Sequence, residues 1–202
     1  MNAVTSAGLL AASKNPMAQR ESRHSYSISL EQGEITNQKQ SGRCWMFAAL
    51  NTFRFEVMKN LNLKTFELSQ NYTLFYDKLE KSNYFLESIL ETLDEPTQGR
   101  LISFLLSAPL GDGGQWDMLC NLVRKYGVVP KEAMPETVSS SATREMTSAL
   151  TRKLREDACR LRKAYADGST LDELRQKKEA MMEEIYRVLC ICLGEPPKTF
   201  DL

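Results

Sequence analysis

Histidine is nearly missing from this sequence: His24 is the only one in 202 residues. Net charge is missing too, since 26 Lys+Arg stand against 26 Asp+Glu. A protein devoted to nucleic acid carries a basic surplus to neutralise phosphates, so that class is not expected. No long apolar run occurs. The longest, 101–110, is interrupted by Ser103 and Ser107, whereas a membrane-crossing helix takes about 20 residues. Gly8-Leu9-Leu10-Ala11-Ala12 has no basic residue before it, so it does not read as a secretory signal. Cysteines are few and odd in number, five in all. That count fits free thiols in a reducing, cytoplasmic compartment better than a disulfide framework. Apolar residues, in contrast, make up 42% of the chain against 26% charged. That is enough for a packed core and too much for a disordered tail.

Along the chain, residues 1–25 are small and polar and read as a loop or short helix. Tyr26-Ser27-Ile28-Ser29-Leu30 alternates apolar and polar, which predicts a short strand. From Cys44 the period changes: Met46, Leu50, Phe53, Val57 and Leu61 share one helical face, and no Pro or Gly interrupts 43–67. Ser69 is a good N-cap for a second helix reaching about Leu93. Residues 101–107 read as helical, 109–114 as a glycine-rich loop, and 115–126 as a helix stopped by Gly127 and Pro130. The last third carries two apolar stripes. One is Met146, Leu150, Leu154, Leu161 and Tyr165; the other is Leu171, Leu174, Met181, Ile185 and Leu189. Asp167-Gly168-Ser169 separates them, and Thr170 with Glu173 has capping-box spacing. This predicts a helical hairpin over 144–193. Residues 152–163 hold six Lys/Arg against two acids, and 77–95 hold six acids against two Lys. Such runs are mostly solvated faces, and sometimes complementary subunit contacts.

The chemistry-bearing stretch is Asn37-Gln38-Lys39-Gln40-Ser41-Gly42-Arg43-Cys44-Trp45-Met46-Phe47-Ala48. It places a cysteine in the first turn of a long helix, behind a Ser-Gly loop. Unpaired N–H groups and the helix dipole favour negative charge at such a point, and the thiolate is the nucleophilic form of cysteine. Gln38 can bring a side-chain amide to the same place. An amide and the Cys44 N–H together would make an oxyanion hole for acyl transfer. The plainer alternative is a buried cysteine that merely begins a core helix. Other motifs are weak. Gly111-Asp112-Gly113-Gly114 reads as a turn and fails the dinucleotide fingerprint, because Trp116 occupies the third glycine position. Leu50 stands where a phosphate loop needs Arg. Cys190-Ile191-Cys192 has no further ligands to complete a zinc site, and its thiols fall on different helix faces. No metal or cofactor is expected. Cys120 and Cys159 lie in helical patterns and are expected in the core or half-buried.

Gln-(five residues)-Cys-Trp resembles the nucleophile motif of papain-like cysteine peptidases, and the full wording is closer still to the bleomycin hydrolase/aminopeptidase C branch. The resemblance continues through Phe66-Glu67-Leu68-Ser69-Gln70, Gly111-Asp112-Gly113-Gly114-Gln115-Trp116-Asp117 and Tyr126-Gly127-Val128-Val129-Pro130. Papain-type enzymes generally carry a further Cys where Ser41 stands, and its loss suits the intracellular branch. The resemblance implies Cys44 as nucleophile and Gln38 as oxyanion-hole donor. It also implies Trp45 packed behind the thiol, and Gly113 and Gly114 lying beside the substrate chain. The implied fold is α+β papain-like in the full enzyme. The present chain would be mainly α: 1–138 as the N-terminal part of the peptidase domain, and 139–202 as an inserted helical hairpin. Peptide substrates and homohexameric assembly follow from the same resemblance, with no membrane or nucleic-acid partner.

A cysteine peptidase also needs a general base and a group orienting it. In simple papain-like chains the His follows the Cys by about 130–150 residues, and no His occurs there. His24 precedes Cys44 and is expected to be a surface or loop residue. No Asn follows Asn121. The branch's insertions place His and Asn further along, so the chain is expected to be trimmed at both ends, with its catalytic partners outside it. The alternative is a non-catalytic helical assembly protein that keeps a buried Cys44 and uses its acidic 77–95 and basic 152–163 faces for contacts.

Overall fold

A computed structural model describes residues 2–21, 25–30 and 33–200. The chain divides into two compact units, Met1–Glu31 and Gln32–Leu202. In the first, three short helices form: α1 (Asn2–Ala7), α2 (Leu9–Ala12) and α3 (Pro16–Glu21). The strand expected at 26–30 is absent. Tyr26 and Ile28 are each 76% exposed, and no described residue pairs with them. Without a partner strand or a covered face, alternation has nothing to bury. His24 lies outside the described residues.

The second unit is helical, as expected. Its elements are α4 (Cys44–Leu61), α5 (Gln70–Glu91), α6 (Arg100–Ser107), α7 (Trp116–Tyr126), α8 (Val138–Ser141), α9 (Arg144–Ala166) and α10 (Leu171–Leu193). Among the described residues, pairing is limited to two isolated bridges, Gln40 with Ala142 and Leu68 with Pro130. Helix ends follow their caps. Ser69 Oγ accepts from the Tyr72 N–H at 3.0 Å, and Thr170 and Glu173 form a reciprocal capping box. α4 ends earlier than its uninterrupted sequence suggests. Asn62 adopts φ 52°, ψ 44°, and the Leu63 N–H closes on the Met58 carbonyl at 2.9 Å. Asn tolerates this left-handed position better than most residues, so it stops the helix as Gly would.

α5 is the central strut, packed against α9, α10, α4, α6 and α7. Leu74, Phe75, Leu86 and Ile89 of α5 are fully buried against Leu150, Leu154 and Leu161 of α9 and Leu174, Ile185 and Leu189 of α10. Each such side chain contributes roughly 1.5–3 kcal/mol. Cys159 departs from its expected place. Leu154, Ala158 and Leu161 take the inward face of α9, and Cys159 is turned to solvent. Cys120, Cys190 and Cys192 are half-buried.

The charged runs are largely satisfied within the chain. Lys178 and Arg175 pair with Glu87, Lys153 with Asp157 and Glu184, and Arg162 donates to the Thr92 carbonyl at 2.9 Å. Among the described residues no helix is long and apolar enough to cross a membrane, and no cluster of His, Cys, Asp and Glu could hold a metal ion.

Candidate active site

Cys44 is the first residue of α4 and is exposed, which removes the buried-cysteine alternative. The first intrahelical bond is the Phe47 N–H to the Arg43 carbonyl at 3.0 Å, and no side chain caps the helix. The N–H groups of Cys44, Trp45 and Met46 therefore have no partner further back in the helix. They form a cluster of donors at the thiol, suited to developing negative charge.

The loop before Cys44 is a closed network. Gln38 Nε2 donates to the Ser41 carbonyl at 2.9 Å, and Ser41 Oγ returns a bond to the Gln38 carbonyl at 2.7 Å. Lys39 sits between them at φ 54°, a strained position for a residue with a side chain. Arg43 is fully buried. Its Nε donates to Ser41 Oγ at 2.8 Å, and its two terminal nitrogens grip Glu136 at 2.9 and 2.8 Å. Its guanidinium also lies 5.0 Å from the Phe47 ring centroid. The Gln38 amide is thus tethered to a carbonyl three residues before Cys44.

A second loop, 109–114, comes up to the same point from far along the chain. The Trp45 indole N–H donates to the Asp112 carbonyl at 2.8 Å, and the Gly42 N–H to Asp112 Oδ2 at 3.0 Å. Lys78, fully buried on α5, donates to Asp112 Oδ1 at 2.5 Å and to the Gly111 carbonyl at 2.8 Å. Lys81 reaches the Gly113 carbonyl at 2.7 Å and lies 5.5 Å from the Trp45 ring centroid. Burial alone would raise the Asp112 carboxyl. The Lys78 charge, with hydrogen bonds from Lys78, Thr143 and Gly42, outweighs burial and holds it at about 2. Neighbouring Asp77 goes the other way: burial exceeds its ion pair with Lys81 (2.9 Å) and pushes it up to about 6.

The two glycines differ. A Cβ on Gly114 would come within 2.5 Å of the Trp45 ring, whereas one on Gly113 meets nothing within 4 Å. Gly114→Ala is therefore expected to cost about 1–3 kcal/mol by overpacking, and Gly113→Ala well under 1 kcal/mol. Urea titration of the two variants checks this; equal costs would contradict it.

The 38–45 segment, with Gln38, Cys44 and Trp45, and the loop holding Gly113 and Gly114 are thus brought together across about 70 residues of sequence. Two cavities flank their junction. One of about 700 Å³ is lined by Ser41, Gly42, Asp112 and Thr143; one of about 290 Å³ is lined by Trp45, Ala48, Gly114 and Trp116. Asp112, Lys78 and the Arg43–Glu136 clasp were not evident from the sequence. Lys78 did leave a signal, because it falls on the same face of α5 as the apolar Leu74, Phe85 and Ile89.

Known proteins show the family. The model of the Peptidase C1-like family matches residues 1–202. The chain belongs to that family. It is 52% identical over 194 residues to aminopeptidase C of Listeria monocytogenes, covering 96% of this chain and 43% of the relative. With bleomycin hydrolase of Homo sapiens it shares 50% over 177 residues, 87% of this chain and 39% of the relative. The crystal structure of PepW from Lactobacillus rhamnosis HN001 superposes with a TM-score of 0.91 at 50% identity, covering 100% of this chain and 45% of that one. The chain therefore spans less than half the length of each of these three C1-like proteins.

The Asp77 shift makes a stability prediction for this C1-like chain. The native state binds the Asp77 proton more tightly than the unfolded state, whose carboxyl has the ordinary value of 3.8. Stability from this group is present below that value and is lost as pH rises through about 6. Relative to Asp77→Asn, the wild-type chain is expected to gain thermal stability as pH falls from 6 to 4. A pH-independent gap between the two melting temperatures would contradict this.

Proposed function

We propose that the chain is the nucleophile-bearing portion of a cytoplasmic cysteine aminopeptidase that removes N-terminal residues from peptides. The observation that carries this reading is the exposed Cys44 thiol at an uncapped helix start, with the Gln38 amide tethered to the Ser41 carbonyl three residues before it. Cys44 Sγ attacks the scissile carbonyl carbon. The carbonyl oxygen gains charge and is held by the Cys44 N–H and the Gln38 amide. Collapse of that intermediate releases the shortened peptide as an amine and leaves the N-terminal residue as a thioester on Cys44. Water then hydrolyses the thioester. The proton taken from the thiol and delivered to the leaving amine passes through a His oriented by an Asn, both supplied from outside these 202 residues. The names and lengths of the relatives support that division. The Gly113 and Gly114 backbone lies along the substrate chain, with Trp45 as its backing. Assembly into a hexamer and restriction to peptide ends belong to the same proposal.

A full-length protein carrying these residues is expected to hydrolyse aminoacyl fluorogenic substrates and to lose that activity on thiol alkylation. Hydrolysis indifferent to alkylation would refute the reading. The isolated 202-residue chain is expected to show no steady turnover. Gln38→Ala in the full-length protein is expected to lower kcat by about 10²–10³-fold, as for other oxyanion-hole donors, with little change in KM. A change confined to KM would instead make Gln38 a binding residue.

A further inference from the structure

Gly42 and Trp45 bracket the pair Arg43-Cys44, and both are tied to one distant residue. The Gly42 N–H donates to the Asp112 carboxylate at 3.0 Å; the Trp45 indole N–H donates to the Asp112 main-chain carbonyl at 2.8 Å. Asp112 is itself clamped. Lys78 Nζ, from a side chain with no solvent exposure, meets Oδ1 at 2.5 Å, and Thr143 Oγ1 donates to Oδ2 at 2.5 Å. Thr147 Oγ1 lies 3.4 Å from Oδ1. The anchor thus reaches α5 through Lys78 and the start of α9 through Thr143, two helices with fully buried apolar faces. No hydrogen bond within the 37–48 segment could fix both sides of Cys44 against that core.

We propose that Asp112 is the positioning residue of the Cys44 site, its carboxylate fixing the Gly42 N–H and its carbonyl fixing the Trp45 indole, so that the thiol is held from both sides by one clamped point. The catalytic consequence rests on the reading of Cys44 as nucleophile; the positioning itself does not. A charged anchor suits the task. An ionised carboxylate offers acceptor sites for Gly42, Lys78 and Thr143 together, and its charge-assisted bonds are stronger than neutral ones. Asp112 touches no reacting atom and acts only through Gly42 and Trp45.

The experiment compares two exposed thiols of the same chain, Cys44 and Cys159. Rates of iodoacetamide modification at each are measured by peptide mapping in the wild type, in Asp112→Ala, and in Asp112→Ala combined with Lys78→Met. The double variant leaves no lone buried ammonium and guards against simple unfolding. The Cys44-to-Cys159 rate ratio is expected to fall at least fivefold in both variants, with the Cys159 rate within twofold of wild type. A ratio equal to that of the wild type in a folded variant would overturn the proposal. A wild-type measurement needs no variant: the Gly42 amide is expected to exchange its hydrogen slowly, and exchange at the free-peptide rate would overturn the proposal equally. In the full-length protein the double variant is expected to lower kcat at least tenfold with KM within threefold. If the full-length wild type hydrolyses nothing, the peptidase reading fails, and the rate ratio and amide exchange still decide the role of Asp112.

Discussion

Replacing Cys44 by alanine in the full-length protein is expected to reduce aminoacyl-substrate hydrolysis by about 10⁶-fold, in practice to background, because a nucleophile and its base act as a unit. The substitution should leave the fold intact. Cys44 is exposed and begins α4, and nothing in the Arg43–Glu136 or Asp112–Lys78 contacts passes through its side chain. Alanine is also the best helix former. A melting temperature close to wild type with activity gone is the expected pair of results. Lost activity with a large drop in stability would mean that the thiol had been holding the helix start in place.

The second large effect is on stability. Glu136→Ala removes the carboxylate that grips Arg43, whose side chain has no solvent exposure, while that of Glu136 is 23% exposed. The guanidinium would be left buried without its counter-charge, which typically costs about 3–5 kcal/mol. Ser140 Oγ, which donates to Glu136 Oε2 at 2.7 Å, would lose that partner as well. The exposed Arg160–Glu156 pair is the control, both side chains being more than half exposed (56% and 52%). Glu156→Ala should cost at most about 1 kcal/mol, since exposed pairs are screened by water and salt. Urea titration of both variants checks the contrast. Equal costs would show that the Arg43 clasp adds little. The clasp spans 93 residues and reaches from the loop before Cys44 to the segment before α8, so its failure should also loosen the Gln38–Ser41 turn.

These contacts show which parts of the molecule could be read in the sequence. The helices of α5, α9 and α10 were legible because burial on one face imposes a 3.6-residue period, and because Ser69 and Thr170 supply local caps. The stop at Asn62 was less visible, since Asn enters the left-handed region only in some contexts and leaves no change in period. The strand expected at 26–30 failed for a different reason. Alternation describes a strand's two faces but not the partner strand, which must come from elsewhere in the chain. The Cys44 corner was legible as a motif, Gln38 to Trp45 with Gly113 and Gly114. Its supports were not. Asp112 meets Gly42 across 70 residues and Lys78 across 34, and ion pairs between distant residues have no period. The one local clue was a lysine in an apolar stripe, which makes sense only once its carboxylate partner is placed opposite it.

In the proposed reaction the exposed thiol at the start of α4 carries the chemistry. The most direct measurement is peptide mapping of the full-length protein after inactivation by an aminoacyl chloromethyl ketone, with residual activity followed in the same samples. The expected result is a single adduct on Cys44, its occupancy rising in step with lost activity, and Cys159 unmodified over the same period. Complete inactivation with Cys44 still free would contradict the account.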